Sequence, residues 1–296
     1  MKMKTYHLFL SALILLGSAS ASNASPFRAL SKMRAFVPDA KKAITNRGGA
    51  GPLAPLAVAK IAGGLSLAQG IYTTLAPKPC AEVYSDTDEA KELNPLNAKL
   101  LRRLGMAVLH IGVSAYCLFF QDYSIETSVA LTSLTWVMES LSSLFNDDSD
   151  TIGPSKISDL SILAFNGANV YAALNHLDWF ETSFKAFSVY TFACGLPCLL
   201  FPETAMDIWQ VKNGDELTPG IVVSIGSQVT VLGVLISTLA WGVDPVKSFG
   251  YTALSGAVLL SKVNFFSQEV DELNMNKKFL AFWPVFNAFV AASILL

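Results

Sequence analysis

Beyond residue 52 the chain alternates long apolar blocks with short polar connections. Blocks lie near 56–76, 101–120, 126–145, 158–175, 183–201, 219–241, 247–266 and 279–296. Most reach the roughly 18–20 residues that a helix needs to cross hydrocarbon. They lack strict apolar–polar alternation and are too long for membrane strands. A helix satisfies its own backbone groups inside a bilayer. The pattern therefore predicts an all-α, polytopic helical membrane protein with about eight transmembrane helices.

The blocks also repeat. Lys60, Ala68, Gly70, Leu75 and Pro77 recur in the same order as Lys185, Ala193, Gly195, Leu200 and Pro202, 125 positions on. The next connection is four residues shorter in the second copy, and the offset becomes 121. Gly105, Val108, Gly112, Val113 and Leu118 then match Gly226, Val229, Gly233, Val234 and Leu239. Phe165 and Asn166 match Phe286 and Asn287 at that offset. These matches predict a duplication: one four-helix membrane repeat over 53–178 and a second over 179–296. An even number of spans per copy brings both copies into the membrane from the same side. The copies are expected to be tandem parallel repeats about an axis along the membrane normal.

The matched residues have physical uses. Gly105 and Gly112 are two helical turns apart, as are Gly226 and Gly233, and Gly70 and Gly195 occupy equivalent places in the preceding blocks. Small residues on one stripe let helices approach closely without a hydrophobic driving force, so these six glycines are expected to pack helices. Pro77 and Pro202 stand just past their blocks, where a proline stops a helix at little cost. Lys60 and Lys185 lie near the opposite ends of those blocks, about 25 Å away at 1.5 Å per residue, and are expected to snorkel to an interface.

Charge sets orientation. Lys91, Lys99, Arg102, Arg103, Lys212, Lys277 and Lys278 fall in or beside connections that would share one side of the membrane, expected to be the cytoplasmic or stromal one. Charged residues make up only 15% of the chain, where soluble domains carry about 25%. The net charge of −2 and the lack of a basic stripe exclude a nucleic-acid partner. Lipid is the expected partner, with subunits of a membrane complex or further copies of the chain as candidates.

The first fifty-two residues read as an address. Lys2 and Lys4 precede a ten-residue apolar core from Leu8 to Gly17, and Ala19, Ser20 and Ala21 offer a cleavage site. This is a signal-peptide pattern over 1–21. Residues 22–52 form a basic tail and linker with Arg28, Lys32, Arg34, Lys41, Lys42 and Arg47 against one acid, Asp39. A signal peptide followed by a basic, acid-poor, hydroxyl-rich stretch resembles the bipartite plastid presequence of algae with complex plastids. Such presequences carry an aromatic near the cleavage site, and Phe27 and Phe36 lie in this region. The resemblance implies residence in a plastid envelope or thylakoid. The alternative is an endomembrane or secretory-pathway membrane.

Chemistry is sparse. His110 and Glu139 are ionisable groups inside spans, which are expensive there and are functional candidates for that reason. They could pair, relay a proton or meet a cation, and in a thylakoid His110 could hold a chlorophyll magnesium. The alternative is a hydrogen-bonded pair buried in the bundle. Asn166 and Asn287 are shared polar residues that could bridge helices or touch a substrate. These four are the candidate substrate-binding residues. Cys80, Cys117, Cys194 and Cys198 have no metal-binding spacing and read as packing residues. The acidic runs at 86–89 and 146–150 read as solvated loops, the second without the Gly and terminal Glu of a calcium loop. No phosphate-binding, dinucleotide or hydrolase motif argues for an enzyme, no catalytic or metal residue is assigned, and no cofactor follows. The leading expectation is a small-solute carrier with its site between the repeats. The alternative is a non-catalytic membrane scaffold or assembly subunit, for example of a photosynthetic complex.

Overall fold

Proline and amide caps set where the long helices begin. Asn94 Oδ1 accepts from Asn97 N at 2.7 Å, and Pro95 occupies the first turn, where its missing N–H costs nothing. The helix therefore starts six residues before the apolar block that predicted it. Asp244 Oδ1 likewise accepts from Lys247 N at 3.0 Å ahead of Pro245. The computed structural model describes residues 54–85, 87–145, 156–209, 211, 214–266 and 277–296. The signal-peptide and transit-peptide readings and the acidic run at 146–150 lie outside the described residues.

The described chain is all-helical, with eight long helices at the eight predicted apolar blocks. They are α1 (Pro55–Leu75), α4 (Pro95–Ala115), α5 (Ile125–Phe145), α6 (Lys156–Leu174), α7 (Phe180–Leu200), α9 (Leu217–Ala240), α10 (Pro245–Phe266) and α11 (Lys277–Leu295). Helix α4 widens into a π-helical turn at Tyr116–Phe120. Three short helices join them: α2 (Pro77–Tyr84), α3 (Asp88–Lys91) and α8 (Pro202–Ile208). Pro77 and Pro202 do more than stop a helix. Ala76 (φ −130°, ψ 60°) and Phe201 (φ −142°, ψ 64°) break the chain in the same way, and each proline then opens a short helix. The acidic stretch after Tyr84 is also partly helical, because the Thr87 side chain caps α3.

Among the described residues, three helices are long and apolar enough to cross a membrane: α4 with its π turn (Pro95–Phe120), α7 and α9. At 1.5 Å per residue they span about 31–39 Å, against a hydrocarbon thickness of about 30 Å. The apolar part of α11, Ala281–Leu295, is shorter. The surface fits a lipid environment. Phe282, Val285 and Phe289 on α11, Tyr251, Leu254 and Val258 on α10, and Val189, Leu196 and Leu200 on α7 form exposed apolar stripes. Small polar residues such as Thr132, Ser133, Ser140 and Ser227 are buried.

Helices pack as hairpins: α1 on α4, α5 on α6, α7 on α9, and α10 on α11. Helix α4 meets α9 at the centre, α6 meets α7, and α11 meets α1. The α4–α9 contact is parallel, since their first turns touch: Asn94 Nδ2 donates to Asp215 Oδ2 (2.5 Å), Asn97 Nδ2 to Asp215 Oδ1 (2.6 Å), and Thr218 Oγ1 to Asn97 Oδ1 (2.9 Å). Glycines set the closest approaches. A Cβ at Gly70 or Gly112 would run into the backbone of Leu109 or Leu67, and one at Gly105 would lie 2.5 Å from Thr74 Oγ1. On the second hairpin, a Cβ at Gly195 would lie 2.6 Å from Thr230 Oγ1, at Gly226 2.5 Å from Leu199 N, and at Gly233 3.1 Å from Thr191 Oγ1. The main core joins Ile111, Phe184, Phe187, Leu232, Leu235 and Val290 from both halves of the chain.

Candidate functional site

Two polar neighbourhoods lie inside the bundle. The first is a cluster of charges on α4, α5 and α6. The Arg103 guanidinium bonds the Asp159 carboxylate, and Glu139 Oε1 stands 3.8 Å from Arg103 Nε. Ser143 Oγ donates to Asp159 Oδ2 at 2.8 Å. The Arg103 and Asp159 side chains are only 7% and 4% exposed, so the pair is desolvated. Arg103 Nε and Glu139 Oε2 have no hydrogen-bond partner among the described residues. Arg103 is thus not one of the interfacial basic residues its sequence position suggested. Docking of α5 on its face of α4, with Asp159 reaching in from α6, buries it, whereas the adjacent Arg102 stays exposed.

His110 and Glu139, which could pair or meet a cation on the sequence alone, face different surroundings. Glu139 goes to Arg103, two turns before His110 on α4. His110 is 3% exposed, sits beside the Phe187 ring (centroids 6.3 Å apart), and has no partner at Nδ1 among the described residues. Ligating a chlorophyll magnesium there would require the helices to part. Asn166 is buried on α6, donating Nδ2 to Ile162 O at 2.9 Å with Oδ1 unpartnered among the described residues. Asn287 makes the same bond on α11, Nδ2 to Trp283 O at 2.9 Å.

The second neighbourhood is a cavity of about 130 Å³ bounded by α1, α2 and α4 from the first half and α9, α10 and α11 from the second. Its lining on α9 runs from Leu217 to Val231, about 20 Å along the bundle. Asn287 faces it, and His110, Glu139 and Asn166 do not line it. The lining is apolar with scattered neutral polar groups, among them Gln69, Ser224, Ser227, Gln228, Thr252 and Tyr84. Gln69 Nε2 donates to Tyr84 Oη at 3.2 Å, and the Trp283 indole approaches the same hydroxyl without hydrogen-bond geometry. Burial pushes the Tyr84 phenol far above its usual range, so it stays neutral. A void of this size has room for several waters or one small solute.

Sequence reading missed Arg103, Asp159 and the cavity. Arg103 and Asp159 carried one available signal: each interrupts the apolar face of its helix. The cavity had none, since its polar residues are ordinary ones drawn from six helices. All four cysteines are free, and the described residues include no group of three or more His, Cys, Asp or Glu side chains able to hold a metal. Comparisons with protein-family models, curated proteins and solved structures give no match to this chain.

Proposed function

We propose that this chain is a multi-pass membrane protein of eight spans, built as two tandem parallel four-helix repeats, and that it carries a small solute through the cavity between them. The repeat reading draws on contacts that recur at the sequence offsets. The Gly70–Leu109, Gly105–Thr74 and Gly112–Leu67 approaches correspond to Gly195–Thr230, Gly226–Leu199 and Gly233–Phe192. Lys60 Nζ lies 5.4 Å from the Phe120 ring centroid and Lys185 Nζ 5.7 Å from that of Trp241, again an equivalent pair. The central bonds Asn94–Asp215 and Asn97–Thr218 each join a residue to the one 121 positions on, as contacts across a two-fold axis do. A parallel contact of α4 and α9 is what two repeats related about the membrane normal would make, and it supports that arrangement.

The cavity carries the functional reading: it lies between helices of both halves and is polar at several points. Rocking of one half against the other would open it alternately to the two sides. The test is reconstitution of the full chain in lipid vesicles with a broad panel of small neutral and charged solutes. Protein-dependent flux of at least one solute, abolished by filling the cavity with Ser224→Phe in a protein that still elutes as a single species, supports a carrier. Equal permeability of loaded and empty vesicles to the whole panel overturns it.

The exposed apolar stripes on α10 and α11 favour a second reading, a scaffold subunit held in a larger membrane assembly. Stoichiometric co-purification with such an assembly, without flux, would select it. The proposed plastid address rests on residues 1–52 alone. Imaging of a C-terminally tagged full-length chain tests it, and residence in the endoplasmic reticulum would reject it.

A further inference from the structure

Resting on the carrier reading, we propose that the cavity takes an uncharged, hydrogen-bonding solute about the size of urea and rejects ions. No residue lining it carries a formal charge. Several of its polar groups are left free to accept. Ser224, Ser227 and Thr252 donate their hydroxyls to carbonyls of their own helices, Gly220 O (2.8 Å), Ser224 O (2.9 Å) and Ser248 O (2.7 Å), which leaves their oxygen lone pairs free to accept. The Gln228 amide makes no hydrogen bond to the described residues and offers both a donor and an acceptor. Asn287 uses one donor on Trp283 O, which leaves its carbonyl oxygen toward Gly256, where a Cβ would stand 3.2 Å away. A donor-rich neutral molecule can replace its water contacts here. An ion entering the same space would lose hydration and find no counter-charge.

The two halves differ at the corresponding place, and the difference points the same way. At the 121 offset, Arg103, Glu139, Ser143 and His110 correspond to Ser224, Leu260, Asn264 and Val231, all of which line the cavity. The half that carries charges spends them on one another in the Arg103–Glu139–Asp159 cluster. The positions that stay open to a void are the ones without charge.

The test uses the full-length chain in vesicles with three planar probes of equal heavy-atom count: urea, guanidinium and nitrate. The expected result is urea flux at least tenfold above protein-free vesicles, with guanidinium and nitrate at background. Gln228→Leu, similar in size but without the amide, should lower urea flux severalfold. Ser224→Arg, which puts a charge where Arg103 stands in the other half, should lower it at least tenfold. Guanidinium or nitrate crossing as fast as urea overturns the solute class and leaves a carrier standing. Absence of protein-dependent urea flux also overturns it, and the broad panel then decides separately whether any carrier remains. Urea flux unchanged in Gln228→Leu overturns the assignment of this cavity as the path.

Discussion

Replacing Arg103 with Met removes one charge from a site that water barely reaches. The side chain keeps its length and apolar stem, so little packing is lost. Asp159, at 4% side-chain exposure, then keeps a carboxylate without its cation, and Glu139, at 20%, loses its nearest counter-charge. Removing one partner of a buried pair costs about 3–5 kcal/mol, because the remaining charge has no compensation. The lower half of that range applies here, since Lys99 and Arg102 also act on Glu139 and Ser143 still donates to Asp159. The same cluster replaced as a whole, in Arg103→Met, Glu139→Leu and Asp159→Leu together, buries no charge at all. Such replacements are often neutral or stabilising, and the triple variant is expected within about 1 kcal/mol of the parent, or above it. The assay is reversible unfolding in mixed micelles, followed by helical circular dichroism against the mole fraction of denaturing detergent. The exposed Lys185–Glu181 pair is the internal control, and Glu181→Gln should leave the midpoint unchanged. If Arg103→Met alone cost less than about 1 kcal/mol, or if the triple variant lost as much as the single one, the cluster would not be a buried network.

Three further outcomes are expected. Gly226→Val should part α7 from α9, because its Cβ would stand 2.5 Å from Leu199 N and backbone cannot yield as a side-chain tip does; a loss of about 1–3 kcal/mol in the same unfolding assay is expected, and no loss would refute the close approach. Asn97→Ala removes a donor to Asp215 and an acceptor for Thr218 where the two halves meet, at an expected cost of about 1–3 kcal/mol; a double-mutant cycle with Asp215→Ala giving no coupling would refute the contact. Burial pushes the Cys80 thiol up to about 11. Thiolate is therefore scarce at pH 8, roughly one molecule in a thousand, and grows as pH rises toward that value. In a variant keeping only this cysteine, maleimide should label the native protein at least 100-fold more slowly than the denatured one, and equal rates would place Cys80 at the surface.

Sequence alone determined the helical elements. Hydropathy blocks located all eight long helices, because a segment of that length and apolarity has few ways to satisfy its backbone other than hydrogen-bonding within itself. Shared glycines, prolines and lysines marked where helices approach, break and end, since those residue types act through local backbone geometry. Partners were another matter. From sequence Glu139 could pair with His110 on the neighbouring helix or meet a cation, and the structure gives it the Arg103 guanidinium. Arg102 and Arg103 are adjacent in the chain, yet one is exposed and the other is enclosed with Asp159, 56 residues away. Neighbouring residues on a helix point about 100° apart, and the pattern around them does not say which direction meets another helix, so only the docking of α5 on α4, with Asp159 reaching in from α6, decided which arginine turned inward. The cavity follows the same logic. It is the space left over when six helices meet, and that remainder depends on all their rotations at once, which no single stretch of sequence contains.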